Sequence, residues 1–267
     1  MNKIRVFVAG ACGKMGRETV QTILKQADME IAGVSDIQNQ GRDIGSILGL
    51  SPLGITILGS LSKEILKELK ADILVDFTTP QSVFANAKEG LKAGVVPVIG
   101  ATGLDDQEVA ELKELAKENN VGFFIAPNFA LGAILMMKFA QETARYFNHV
   151  DIIEYHHDNK LDAPSGTALK TAEMISQIRK PQIQGHPNEY EKIPGARGGD
   201  IDGIHVHAVR LPGLVAHQEV IFGGYGQTLT IRHDAYTRET YMPGVMLAIR
   251  KAYKMTDVVI GLENFLD

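Results

Sequence analysis

The chain has 267 residues, of which 45% are hydrophobic and 22% are charged, and its formal net charge is −5 at pH 7. These values are ordinary for a globular protein of one or two domains, and the acidic balance argues against nucleic-acid binding. The N-terminus runs into a strand-like segment instead of a signal peptide, and no apolar run approaches the ~20 residues of a membrane span. The single cysteine excludes an intrachain disulfide. We therefore expect a cytoplasmic protein that binds neither nucleic acid nor membrane.

The first half of the chain alternates short apolar runs with amphipathic segments. The predicted strands are residues 4–9, 30–36, 71–77, 94–100 and 121–127, and the predicted helices are residues 14–26, 82–93 and 106–119. Residues 37–61 are less regular and are expected to hold loops and one short strand. Such alternation is typical of βαβ units, so it predicts an α/β domain with a parallel sheet.

The pattern changes after Asn128. The sequence predicts a helix over 132–147, a strand over 150–155, a helix from about 167 to 179 and a loop over 182–200. Strands over 203–210, 216–222 and 227–233 follow, with glycines between the last two that indicate a hairpin turn, and residues 237–254 are helical again. This half predicts a separate α+β domain with a mostly antiparallel sheet.

A glycine-rich loop joins the first predicted strand to the first predicted helix. It reads G-x-x-G-x-x-G and consists of Gly10, Ala11, Cys12, Gly13, Lys14, Met15 and Gly16. Small residues at this spacing permit a tight turn and let backbone amides approach a pyrophosphate at a helix N-terminus. Glycines also form ordinary turns, but the position between strand and helix favours a dinucleotide site.

Asp36 ends the second predicted strand, where an acidic side chain bonds the ribose hydroxyls of NAD. NADP would require a cation beside this position, and the nearest is Arg42. We therefore expect NADH, or both cofactors with NADH preferred; the alternative is that Asp36 only opens a turn. Residues 76–80 and 100–103 end two further strands and carry hydroxyls and small residues that suit a cofactor, although Thr78 and Thr79 also suit helix capping before Pro80.

The most distinctive stretch reads EYHHDNKLDAPSGTA, over residues 154–168. His156 and His157 are adjacent, and Lys160 follows closely. Adjacent strand side chains point to opposite faces, so the two histidines are a poor chelating pair and we expect no metal. A histidine supplies a proton donor near neutral pH, and a lysine supplies a cation for an anionic substrate.

Ser165, Gly166 and Thr167 stand at the start of a predicted helix, where amides and the helix dipole favour a carboxylate. Asp162 is expected to shape the turn and to orient Lys160. A serine nucleophile is disfavoured because G-x-S-x-G is absent. The stretch therefore indicates a site for a small carboxylate substrate.

Together, these motifs resemble the dihydrodipicolinate reductase family over essentially the whole chain. The motifs that carry the resemblance are GACGKMG, DFTTP, GATGL, APNFALG, EYHHDNKLDAPSGTA, HAVRLPG, HQEVIFGG and LTIRHDAYTRETYMPGV. The resemblance implies a Rossmann-like dinucleotide-binding domain over residues 1–128, completed by 239–267, and a substrate-binding and oligomerisation domain over 129–238. It also implies a homotetramer that uses NADH or NADPH to reduce 4-hydroxy-tetrahydrodipicolinate to tetrahydrodipicolinate, in the diaminopimelate branch of lysine synthesis.

The resemblance also assigns residues to roles. His156 matches the family's proton donor and Lys160 its second catalytic residue, while His157, Gly166 and Thr167 match contacts to a dicarboxylate that we expect Lys160 and Ser165 to complete. Positions that match the cofactor region are Gly10, Lys14, Met15, Asp36, Phe77, Thr78, Gly100, Thr102, Pro127, Asn128, Phe129 and Arg238. Cys12 stands where the family often has glycine. The choice between NADH and NADPH stays open.

Two alternatives belong beside this interpretation. A nicotinamide oxidoreductase for another small acid, such as a homoserine or aspartate dehydrogenase, would share the glycine loop but not the histidine–lysine run. A nucleotide-sensing regulator would bind NADH without consuming it and would need no proton donor.

Overall fold

The computed structural model describes residues 3–180 and 182–266. The strands in chain order are β1 (Ile4–Ala9), β2 (Met29–Ser35), β3 (Ile57–Leu58), β4 (Ile73–Asp76), β5 (Val96–Ile99), β6 (Phe123–Ile125), β7 (His149–His156), β8 (Gly199–Ile201), β9 (Ile204–Arg210), β10 (Ala216–Gly224), β11 (Gln227–Ala235) and β12 (Val258–Ile260). The α-helices are α1 (Lys14–Ile23), α2 (Ile44–Ile47), α3 (Lys63–Glu68), α4 (Pro80–Ala93), α5 (Asp106–Asn119), α6 (Leu131–Thr143), α7 (Gly166–Ser176) and α8 (Met242–Ala252). Two 3-10 helices are Arg238–Tyr241 and Leu262–Phe265.

The chain divides into two compact units. Unit 1 comprises the residues up to Ala130 and those from Tyr241 onward, and unit 2 comprises Leu131–Thr240. Each division lies two residues after the position expected from the sequence. Phe129 belongs with unit 1 because its ring packs edge-on against those of Phe77 and Phe124.

Unit 1 contains a seven-stranded sheet in the order β12-β6-β5-β4-β1-β2-β3. Every neighbouring pair in this sheet runs parallel, which confirms the predicted α/β fold. All residues of β4 and β5 are buried, as expected for parallel strands whose two faces are both covered. All strand carboxyl ends therefore meet at one edge of the sheet.

Capping residues and proline set the ends of two helices of unit 1. Helix α5 has the bounds predicted from the sequence, because Asp105 and Glu108 form a reciprocal capping box at its start and Asn120 adopts a left-handed conformation at its end. Helix α4 starts two residues earlier than predicted, at Pro80, because proline is tolerated in the first helical turn. The short elements α2, α3 and β12 were missed, since none of them is long enough to show a period.

Unit 2 contains a five-stranded sheet in the order β11-β10-β7-β9-β8. All its neighbouring strands are antiparallel except β7 and β9, so the mostly antiparallel prediction is confirmed. Along β7, Val150, Ile152 and Glu154 alternate as buried residues. Helices α6 and α7 pack against each other and against this sheet. The buried face of β7 thus carries a carboxylate among aliphatic side chains.

In the parts of the chain that the structure describes, no helix has both the length and the apolar composition that crossing a bilayer would require.

Candidate active site

The predicted cofactor residues of unit 1 follow successive strands at the carboxyl-end edge of its sheet. Gly10 follows β1, Asp36 follows β2, Phe77 and Thr78 follow β4, Gly100 follows β5, and Pro127, Asn128 and Phe129 come shortly after β6. Ligands of open parallel sheets bind at such an edge. The topology therefore brings together side chains that are far apart in the sequence.

Close backbone contacts explain the glycines of the loop. Gly10 has a φ of +77°, and a Cβ there would lie 2.7 Å from the carbonyl oxygen of Phe77. A Cβ on Gly16 would lie 2.1 Å from the carbonyl oxygen of Gly10. Gly13 is the N-cap residue of α1 and has no side chain with which to cap the first amides. These amides and the tight loop fit the pyrophosphate of a dinucleotide.

The Asp36 side chain is hydrogen-bonded directly to the glycine loop. Its Oδ2 accepts a hydrogen bond from the amide of Cys12 at 2.8 Å, and its Oδ1 accepts one from the amide of Gln38 at 2.8 Å. Burial, and then the charge of Asp36, raise the pKa of the Cys12 thiol. The nearest predicted cation, Arg42, donates to Asn39 Oδ1 at 2.9 Å. The carboxylate is thus fixed beside the loop, as contact with a ribose requires.

Aromatic packing defines the middle of this edge. A Cβ on Gly100 would lie 2.2 Å from the Phe77 ring, and the rings of Phe77 and Phe129 meet edge-on with centroids 5.8 Å apart. Ala11 and Gly16 are buried, Met15 and Asn128 are half-buried, and Lys14, Thr102 and Pro127 are exposed. Arg238 lies outside unit 1, exposed in its 3-10 helix.

Asp76 fixes Thr78 at the end of β4. The buried carboxylate accepts hydrogen bonds from the amide and the hydroxyl of Thr78, at 2.8 and 2.6 Å, and from Asn86 at 2.8 Å. Burial raises the pKa of Asp76, and these bonds oppose the shift. Thr79 is the N-cap residue of α4, but its hydroxyl pairs with that of Ser82 at 3.5 Å, so the structure does not show the side-chain cap considered above.

In unit 2, His156 ends β7 with its ring against a buried carboxylate. His156 Nδ1 lies 2.5 Å from Glu154 Oε2. Burial lowers the pKa of His156, the Glu154 carboxylate opposes this, and the charges of Lys160 and Arg210 lower it further. The net pKa lies below the ordinary histidine value, so the free imidazole is mainly neutral at neutral pH.

The turn after β7 presents two further polar side chains of the motif, those of His157 and Lys160. His157 is exposed, and its carbonyl accepts a hydrogen bond from the amide of Lys160 at 3.2 Å. Lys160 Nζ lies 2.6 Å from Asp162 Oδ1, and this contact holds the pKa of Asp162 below its usual value. The pairing of Asp162 with Lys160 is the one expected from the sequence.

The start of α7 supplies amides for an anion. Ser165 is the N-cap residue: its Oγ accepts from the amide of Ala168 at 3.3 Å, and its own amide donates to Glu154 Oε1 at 3.1 Å. Gly166 and Thr167 carry the first two helical amides, which have no intrahelical acceptor. A Cβ on Gly166 would meet no atom within 4 Å. The structure therefore gives Ser165 a capping contact and leaves Gly166 and Thr167 accessible.

Two residues of this site were missed by the sequence analysis. Glu154 accepts four hydrogen bonds at the base of the site, and two of them come from Arg210 at the end of β9. A signal for Glu154 existed, because it continues the alternation of Val150 and Ile152 onto the buried face of β7. Arg210 lies in the HAVRLPG motif, but nothing in the sequence indicated that it pairs with Glu154, since the two residues meet only through the pairing of β7 with β9.

A metal centre would need several ligating side chains in one place. Over residues 3–180 and 182–266, no group of three or more histidine, cysteine, aspartate or glutamate side chains is arranged to hold a metal ion.

Comparison with known proteins identifies relatives along the whole chain. Residues 4–129 match the family model for the N-terminus of dihydrodipicolinate reductase, and residues 132–266 match the model for its C-terminus. The chain is 68% identical to a 4-hydroxy-tetrahydrodipicolinate reductase of Desulfitobacterium hafniense over 100% of both chains. It is 52% identical to the Syntrophomonas wolfei enzyme of the same name, over 99% of both chains.

Two solved structures of similar fold include one dihydrodipicolinate reductase. A dipicolinate-bound dihydrodipicolinate reductase from Paenisporosarcina sp. TG-14 superimposes with a TM-score of 0.88 at 47% identity, covering 99% of this chain and 100% of that one. A probable dehydrogenase from Thermotoga maritima superimposes with a TM-score of 0.63 at 13% identity, covering 98% of this chain and 92% of the other. The second likeness concerns the fold alone.

Proposed function

We propose, because this chain belongs to the dihydrodipicolinate reductase family, that it reduces 4-hydroxy-tetrahydrodipicolinate to tetrahydrodipicolinate with a nicotinamide cofactor. This reaction is a step of the diaminopimelate branch of lysine synthesis. The observation that carries the proposal is the arrangement of His156 on a buried carboxylate, beside a turn bearing Lys160 and the open N-terminus of α7. A proton donor, a cation and free amides suit the reduction of a small dicarboxylate.

The substrate carboxylates are assigned to the accessible polar groups of unit 2. The amides of Gly166 and Thr167 point out of the positive end of α7, which favours a carboxylate. Lys160 leaves its ion pair with Asp162 and binds a substrate carboxylate instead. The exposed His157 completes the contacts to the substrate. Ser165 supports this site by capping α7. A dipicolinate-bound relative is consistent with a dicarboxylate ligand.

His156 is assigned as the proton donor. The substrate first loses its hydroxyl as water, and hydride would then add to one ring carbon. His156 Nδ1 faces Glu154, so Nε2 is the nitrogen that can deliver a proton to the neighbouring ring carbon. The bound dianion raises the pKa of His156 and thereby favours the imidazolium. Lys160 and the α7 amides stabilise negative charge on the substrate as it reacts.

The cofactor residues are those of unit 1. When bound, the reduced nicotinamide supplies the hydride. The backbone of Gly10–Gly16 and the start of α1 would hold the pyrophosphate, while Asp36 would accept hydrogen bonds from the adenosine ribose. Phe77, Thr78, Gly100, Thr102 and Pro127–Phe129 would border the rest of the cofactor, with Arg238 as a further contact. We favour NADH over NADPH, because the Asp36 carboxylate would repel a 2′-phosphate.

The same resemblance leads us to propose a cytoplasmic homotetramer. Light scattering on the purified protein measures the mass of the assembly directly, and a monomeric mass would contradict the homotetramer.

The test is the loss of reduced-nicotinamide absorbance with freshly generated 4-hydroxy-tetrahydrodipicolinate, with NADH and NADPH in separate assays. We expect turnover with a higher kcat/KM for NADH. In His156→Gln we expect kcat to fall by roughly 10²- to 10⁴-fold, the range that general acid catalysis contributes, with NADH affinity nearly unchanged.

The control is the equilibrium binding of NADH to both proteins. A protein that binds NADH but consumes neither cofactor would favour the sensor or a different small acid. An equal loss of turnover and of NADH affinity in His156→Gln would contradict the proton-donor assignment.

A further inference from the structure

Glu154 is a buried carboxylate that the proposed reaction does not by itself require. The residue has 0% exposure, and its neighbours on the same face of β7 are Val150 and Ile152. An isolated charge in such surroundings would be strongly destabilising. A glutamate at this position therefore needs a full set of partners to remain ionised.

The structure supplies these partners from three elements. Oε2 accepts from His156 Nδ1 at 2.5 Å and from Arg210 Nη1 at 2.8 Å. Oε1 accepts from Arg210 Nη2 at 2.6 Å and from the amide of Ser165 at 3.1 Å. Although burial raises the pKa of Glu154, the hydrogen bonds from Arg210 and His156 outweigh it, and the net pKa lies below the ordinary value. The carboxylate is therefore ionised at neutral pH.

Arg210 extends this network to the lysine turn. It ends β9, in register with His156 on β7, and forms a two-pronged pair with Glu154. Its Nη2 also donates to the backbone carbonyl of Asp162 at 2.9 Å. The Asp162 side chain in turn holds Lys160. One carboxylate thus connects the histidine, the N-cap of α7 and the turn that carries the lysine.

The contact with Nδ1 also selects one form of the imidazole. An ionised carboxylate can only accept, so the neutral His156 must carry its proton on Nδ1. Nε2 is then the nitrogen that gains and gives up a proton. A histidine whose orientation and tautomer are held by a carboxylate is the arrangement that acid–base catalysis uses.

We propose that Glu154 is a positioning residue of the reaction, which holds the proton of neutral His156 on Nδ1 and, with Arg210, ties the α7 N-cap and the Lys160 turn to one anchor. This inference rests on the proposed function, because it assigns Glu154 a task in the proton transfer from His156.

A second carboxylate–histidine pair in unit 2 provides the matched control. His217 Nδ1 lies 2.8 Å from Asp234 Oδ1, but His217 Nε2 already accepts a hydrogen bond from the amide of Val215 at 3.2 Å. That pair therefore has the same contact on Nδ1 and no nitrogen left for a substrate. Asp234 also accepts two hydrogen bonds from Arg232 Nε, at 3.1 and 3.0 Å. Asp234→Asn therefore removes a carboxylate charge from a histidine pair whose bonds go to His217 and Arg232 and not to the residues of the proposed site.

The experiment compares Glu154→Gln with Asp234→Asn in kcat, in KM for both substrates and in the pH dependence of kcat/KM. We expect Glu154→Gln to lower kcat by roughly 10²-fold, the lower end of the range for acid–base groups, with an unchanged KM for NADH. Its kcat/KM should fall at lower pH than in the unmodified protein, because the charge that raises the pKa of His156 is lost. Asp234→Asn should leave kcat and the pH profile unchanged.

Nitrogen NMR of the full chain with ¹⁵N-labelled histidine tests the tautomer directly, with the His156 signals assigned by their loss in His156→Gln. We expect Nδ1–H in the neutral imidazole, and a shift towards Nε2–H in Glu154→Gln. A proton on Nε2 in the unmodified protein would overturn the inference, and this measurement stands even if Glu154→Gln does not fold.

The two failures are distinguishable. If the unmodified protein turns over, His156→Gln is inactive and Glu154→Gln keeps its kcat and pH profile, then the inference fails while the proposed function stands. If the unmodified protein does not consume either cofactor, the proposed function itself fails.

Discussion

At the scale of single residues, the environment of His156 decides what the histidine can do. Burial withdraws water from the ring and disfavours the imidazolium, whereas Glu154 favours it. The positive charges of Lys160 and Arg210 again disfavour the charged form. The balance is a pKa below the ordinary histidine value, so the proposed role of His156 as proton donor at neutral pH would depend on the arrival of an anionic substrate.

This balance predicts the pH dependence of turnover. The protonated form of His156 predominates in the free protein only below its lowered pKa, so kcat/KM should fall as the pH rises through a value below the ordinary pKa of histidine. In the complex, the substrate's negative charges raise the pKa of His156, so kcat should fall at higher pH than kcat/KM. Both quantities are measured by cofactor consumption over a pH series. A kcat/KM that is flat across the histidine range would contradict the prediction.

At the scale of elements, the two proposed anion sites lie at the N-termini of α1 and α7, and the two helix starts differ in how tightly they are packed. At α1, the turn is so tight that Gly16 lies against the carbonyl of Gly10. At α7, the side of Gly166 is open, and the Ser165 hydroxyl caps the helix in place of a close loop. The first site is built from backbone packing, whereas the second leaves space next to its amides.

Alanine substitutions should separate these two designs. Gly16→Ala should lower the free energy of unfolding by about 1–3 kcal/mol and weaken NADH binding, because its Cβ would overlap backbone that cannot move independently. Gly166→Ala should fold without loss of stability, since a Cβ meets nothing within 4 Å, yet raise the KM for the dicarboxylate by filling that space. Thermal unfolding and steady-state kinetics measure both effects. Equal destabilisation by the two substitutions would argue against this distinction.

At the scale of the whole molecule, the dinucleotide unit is assembled from both ends of the chain. Strand β12 adds to the sheet edge beside β6, and the Phe265 ring stacks on Phe124 with centroids 4.4 Å apart. Gly244 at the start of α8 approaches the carbonyl of Phe129 so closely that a Cβ would lie 2.0 Å from it. The glycine loop lies in the N-terminal segment, but the core that supports it includes the C-terminal one.

This assembly predicts the behaviour of shortened chains. Residues 1–130 alone should fail to bind NADH, although they contain the glycine loop and Asp36. Removal of α8, whose Val245 and Ile249 are buried, exposes the parts of β4, β5, β6 and α1 that this helix covers. A chain that joins Ala130 to Tyr241 by a short glycine-rich link should recover folding and NADH binding, since Phe129 and Gly244 are already in contact. Calorimetric titration with NADH measures the affinity of each of the two chains. Equal affinity of the two chains would show that the C-terminal segment is dispensable.

The sequence alone predicted those features of the fold and of the candidate site that depend on neighbouring residues. The parallel sheet, the glycine loop after β1, the bounds of α5 and the histidine–lysine run all follow from residues close together in the sequence, because periodicity, capping and turn chemistry act over a few residues. Only the tertiary structure decided that Arg210 balances Glu154, that Glu154 holds His156, and that the final strand completes the first sheet. Strand pairing and packing bring these residues together from distant positions in the sequence. The partner of a buried charge is therefore defined only by the folded chain.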